Sequence, residues 1–144
     1  MEYTRKQLKL ASIIVLIFAA LSLLQVVTDL FTSNFDSTGA TETVLLVTRI
    51  IVIVISFILL LPNIYIGVKG MSLAKEPKVA KAHIVWAVIL LVFAVLSIIS
   101  PTMSFIQNGF KLDNSVVFFT SVAEILAFID YIKYASDLNK QLAK

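Results

Sequence analysis

Residues 43–68 read TVLLVTRIIVIVISFILLLPNIYIGV. A helix rises 1.5 Å per residue, so about 20 apolar residues cross a hydrocarbon core about 30 Å thick. This stretch is longer than that. A chain inside lipid has no water to satisfy its N–H and C=O groups, which leaves a helix or a closed barrel. The period-two alternation of a barrel strand is absent, so the stretch predicts a membrane-spanning helix. One feature does not belong. Arg49 lies inside the span, where a charged side chain costs about 2.5 kcal/mol or more at the helix centre and less towards the edge.

Outward from this stretch the pattern repeats. Apolar runs cover about 10–31, 83–106 and 115–132, and a polar amphipathic tail follows over 133–144. The 144 residues are 59% hydrophobic and 15% charged. Soluble domains sit near 45–50% apolar and about 25% charged. The expected fold is therefore all-α: a single polytopic membrane domain built as a four-transmembrane-helix bundle. The first run follows a basic start, as a secretory signal does. It continues through Leu21-Ser22-Leu23-Leu24-Gln25 without a small-residue cleavage site, which predicts an uncleaved first span.

Between the runs lie short connectors. Ser33, Asn34, Asp36, Ser37 and Gly39 predict an exposed loop, and Gln107-Asn108-Gly109 predicts a turn. Pro62 and Pro101 remove backbone donors and predict bends near the ends of their helices. Basic residues collect on one side of the array: Arg5, Lys6 and Lys9 at the start, Lys69, Lys75, Lys78 and Lys81 in the middle connector, Lys133, Lys140 and Lys144 in the tail. The opposite connectors hold only Lys111. Positive charge marks the cytoplasmic side, so both termini and the middle connector are expected there; the lack of cysteine and the lysine-rich connector fit a plasma membrane of the bacterial inner-membrane type. The four connector lysines are candidate lipid-headgroup contacts. Tyr3, Tyr65, Trp86, Tyr131 and Tyr134 fall near the same side, as rings seated among headgroups would.

An internal match supports two parallel two-helix halves. Shifted by 75 residues, Ile17-Phe18-Ala19-Ala20-Leu21-Ser22 lies over Val92-Phe93-Ala94-Val95-Leu96-Ser97, and Arg49 lies over Glu124. Such halves are related by a pseudo-two-fold axis along the membrane normal.

Polar residues inside the spans are the candidate site. An intramembrane guanidinium needs a partner, and Glu124 is the first candidate, with Gln25 and Asp29 of the first span as the others. Glu42, Arg49, Ser56 and Asn63 recur every seven residues and form one winding stripe. That stripe lines a narrow path or forms a hydrogen-bonded seam between helices. Ala123 and Ala127 form a small-x-x-x-small pattern where another helix can approach. His83, at the mouth of the third span, reads as an interfacial residue.

With no cysteine, disulfide and thiol chemistry are absent. No nucleophile–base pair, metal-ligand cluster or glycine-rich phosphate loop occurs, so no enzyme activity, metal or cofactor is expected. The net charge of +3 follows from the flanking lysines and implies no nucleic-acid partner. The expected partners are the lipid bilayer and other membrane proteins, or further copies of this chain. The leading functional expectation is an accessory, regulatory or immunity-type subunit. The alternative is a small oligomeric channel or transporter using Arg49 and Glu124.

Overall fold

The computed structural model describes residues 1–32 and 41–144, with the side chains of residues 29, 30 and 32 outside the described set. Five helices follow one another: α1 Glu2–Thr32, α2 Glu42–Lys75, α3 Ala82–Ser97, α4 Ile99–Asn108 and α5 Leu112–Leu142. No strand occurs among the described residues. Four helical stretches are long and apolar enough to cross a membrane, with α3 and α4 counting together as Ala82–Asn108. The loop expected at 33–39 lies outside the described residues.

The helices run well past the predicted spans. The 34 residues of α2 make a rod about 51 Å long, against about 30 Å of hydrocarbon. The polar tail expected after residue 132 is no separate helix. It continues α5 to Leu142 without a break, and Ala135 and Leu138 are buried. Likewise the basic start belongs to α1, where Thr4 and Leu8 are buried. The extra length therefore lies at one end of the bundle, the end that carries residue 1, the connector 76–81 and residue 144. We call it the basic end.

The predicted bends differ in outcome. Proline clashes with the carbonyl four residues before it. For Pro101 that residue is Ser97, and the third apolar run breaks there into α3 and α4. Pro62 leaves α2 unbroken as a helix from Glu42 to Lys75. The expected turn at Gln107-Asn108-Gly109 is present. Gly109 stops α4 with φ +70°, a left-handed conformation that a side chain would strain.

Around the bundle, α1 packs on α2 and α5, and α3 packs on α2 and α5, so α2 and α5 face each other diagonally. The core joins Leu8, Ala11 and Val15 of α1 to Ile66 and Leu73 of α2, Ala87 and Leu90 of α3, and Ala127, Phe128, Tyr131, Ala135 and Leu138 of α5. All of these residues lie in the half nearer the basic end. Outward of Ala19, Leu60 and Leu90, the only buried residue among those described is Ser115. In the far half α4 packs on α5. There Phe105 stacks on Phe118 at 5.1 Å and meets Phe110 edge-on at 5.6 Å.

A candidate site in two halves of the bundle

Tyr131 organises the closed half. Its ring is fully buried, and its hydroxyl donates to the Ile66 carbonyl at 2.8 Å. This corrects its expected place among the headgroups. Tyr3, Tyr65 and Trp86 do remain exposed. His83 is buried inside the bundle too, with Nδ1 2.8 Å from the Tyr131 hydroxyl and Nε2 3.1 Å from the Ala80 carbonyl. A neutral imidazole has one N–H and serves Tyr131 or Ala80; the protonated ring serves both. Asn139 completes the junction. Its amide donates to the Ala80 carbonyl at 2.6 Å and its oxygen accepts from the Ala80 N–H at 3.1 Å. One polar knot thus ties α2, the connector, α3 and α5 together.

Glycine makes room for it. A methyl on Gly70 would overlap Ser12 Oγ and lie 2.5 Å from the Tyr131 ring; one on Gly67 would lie 2.5 Å from Leu16. These two glycines, three apart in an apolar helix, let α1 and α5 approach the α2 backbone. Their three-residue spacing differs from the small-x-x-x-small pattern that singled out Ala123 and Ala127. At the end of α2, Arg5 donates to the carbonyls of Ala74 and Lys75, both at 2.8 Å, which occupies two of the last acceptors the helix leaves open.

The open half holds most of the expected polar residues. Ser56 and Asn63, of the seven-residue stripe, line a cavity of about 220 Å³ between α1 and α2, with Ser22 across from them. Arg49 is half-buried further out, whereas Gln25 is exposed. The Asp29 side chain lies outside the described residues. Ala127 is in the core and Ala123 is exposed, so their pattern is not a seam within this chain.

Arg49 and Glu124 do not meet. Among the described residues the ion pair is Lys140–Asp137, at 3.9 Å, and none joins Arg49 to Glu124. The reason is register. Tyr131 contacts Ile66 and abuts Gly70, so it stands level with that turn of α2. Glu124 lies two turns outward on α5, about 10 Å, which places it level with Leu59–Asn63. Arg49 is about ten residues further out on α2, or roughly 15 Å. A strict two-fold would keep them at one depth. The shift of 75 residues preserves helix faces, since Leu8 and His83, Ser12 and Ala87, and Val15 and Leu90 are all buried, but it does not preserve depth. A double-mutant cycle of Arg49→Gln and Glu124→Gln is accordingly expected to be additive within about 0.3–0.5 kcal/mol in unfolding measurements. A coupling above about 1 kcal/mol would place the two charges in contact.

The connector lysines sit at the basic end, Lys75, Lys78 and Lys81 exposed and Lys69 half-buried. The molecule is thus an all-helical chain with four membrane-length apolar helices, its core, among the described residues, lying towards the basic end. No protein family, curated protein or solved structure matches it.

Proposed function

We propose that this chain is a non-catalytic integral membrane protein, an accessory, regulatory or immunity-type subunit that acts by binding the helix of another membrane protein in its open half. The observation that carries this reading is the core that stops halfway. Where the core ends at Ala19 and Leu60, the helices leave a cavity between α1 and α2, and Ser22, Ser56 and Asn63 line it. Lipid chains offer these groups no hydrogen bond, whereas a neighbouring helix with polar side chains does. The lysines at the closed end favour a cytoplasmic location for it, with both termini inside a bacterial-type inner membrane.

The closed half also argues against a path through the centre. Leu8, Leu73, Tyr131 and Leu138 fill the bundle axis there and are almost fully buried. The test is photocrosslinking in native membranes from a probe at Ser56, with a probe at the exposed Val68 as control. A discrete membrane-protein adduct from residue 56 and none from residue 68 is the expected result. Lipid adducts alone from both positions would overturn the reading. In liposomes the purified protein is expected to pass no ion or common solute. A flux that Asn63→Ala abolishes would replace the binding role with transport.

A further inference from the structure

A groove at the basic end has the chemistry of a phospholipid site. It runs between the connector and the last turns of α5, with a volume of about 490 Å³, and is lined by Val79, Lys81, Ile84, Val85, Ser136 and Lys140, among others. Its wall is fixed, because the two Asn139–Ala80 hydrogen bonds hold the connector against α5. Val79 and Val85 are exposed there at 54% and 57%, beside two lysines. Lys140 has a carboxylate neighbour in the half-buried Asp137, but at 3.9 Å, with the lysine side chain exposed, this contact is weak.

Depth gives the groove its meaning. His83 stands level with Tyr131 and Ile66, close to the exposed Trp86 and Tyr65, rings of the kind that mark a headgroup boundary. Lys81 lies just beyond that level, and Lys140, about 13 Å past Tyr131 along α5, has a long side chain that reaches back towards it, where phosphates sit. Val85 and Val88 of α3 and Ile129 of α5, all exposed, continue below it into the apolar zone. We propose that this groove binds one anionic phospholipid, its phosphate held by Lys81, Lys140 and the Ser136 hydroxyl and its acyl chains laid along the α3–α5 seam. Basic pockets between membrane helices on the cytoplasmic side take such headgroups. The proposal needs the chain to lie in a membrane but does not depend on any protein partner.

The experiment is lipid titration of the full chain in neutral detergent, read by native mass spectrometry and thermal shift. The probes are phosphatidylglycerol, phosphatidylcholine and glycerol phosphate. Phosphatidylglycerol is expected to bind with one-to-one stoichiometry and raise the melting temperature, and glycerol phosphate alone to do neither. Lys81→Gln with Lys140→Gln is expected to weaken binding about thirty-fold, as two lysines at about 1 kcal/mol each imply. Ser136→Trp, which fills the groove, is expected to abolish it. Lys6→Gln with Lys9→Gln, exposed on α1 and outside the groove, is expected to leave it intact. Equal losses from both lysine pairs would reduce the site to diffuse basic charge. Equal binding of phosphatidylcholine, or none by phosphatidylglycerol, would likewise overturn the proposal.

Discussion

Gly70→Ala is expected to destabilise the bundle by about 1–3 kcal/mol, the range for forcing a methyl into a well-packed site. The sign is informative because propensity alone predicts the reverse. Alanine in a helix interior is favoured over glycine by roughly 0.5–1 kcal/mol. Here the new methyl would overlap Ser12 Oγ and press on the Tyr131 ring at 2.5 Å. Ser12 is buried and hydrogen-bonded to the Leu8 carbonyl at 2.7 Å, and Tyr131 is held from two sides, so neither can yield cheaply. Gly67→Ala makes the matched control. Its new methyl would press on Cγ and Cδ2 of Leu16 at 2.5 Å, but Leu16 is half-buried and held by no hydrogen bond, so a smaller loss is expected. Unfolding in mild detergent measures both. Equal stability of Gly70→Ala and the parent protein would mean that α1 and α5 do not approach α2 this closely.

The other large effect is at Tyr131. Tyr131→Ala is expected to cost about 3–5 kcal/mol, as removal of a fully buried aromatic ring does. Tyr131→Phe separates packing from hydrogen bonding. It keeps the ring and removes the one hydroxyl that serves both the Ile66 carbonyl and His83. Buried groups left without partners cost about 1–3 kcal/mol, while hydrogen bonds between membrane helices average about 0.6 kcal/mol. A loss near 1 kcal/mol is therefore expected for Tyr131→Phe, falling when His83 is also replaced, because the pair acts together. No loss from Tyr131→Phe, with an unchanged His83 environment by NMR, would show that the knot does not form.

The open half behaves differently under the same logic. Substitutions at Ser56 or Asn63 remove no core contact, since both line a cavity. They are the positions for probing binding without unfolding the chain, and Gly70 and Tyr131 are the positions for probing the fold without touching the cavity.

The sequence by itself determined the four apolar helices, their lengths to within a few turns, the turn at Gly109 and the collection of lysines at one end. These follow from local rules: how many apolar residues cross a given thickness, where glycine must take positive φ, where charge can rest. It also determined which polar residues are out of place, among them Arg49, Ser56 and Asn63. Only the tertiary structure decided who meets whom. Arg49 and Glu124 are matched by the 75-residue offset, yet α5 is displaced along α2 by several turns, and no periodicity records that displacement. Tyr131 and His83 looked like interfacial side chains because each stands near a run of charge. They are buried because α1, α2 and α5 extend beyond the apolar runs at that end and, with α3, close around them. Helix period fixes direction around an axis; position along the axis is set by close approach, here by Gly67 and Gly70, and that is a property of the packed helices together.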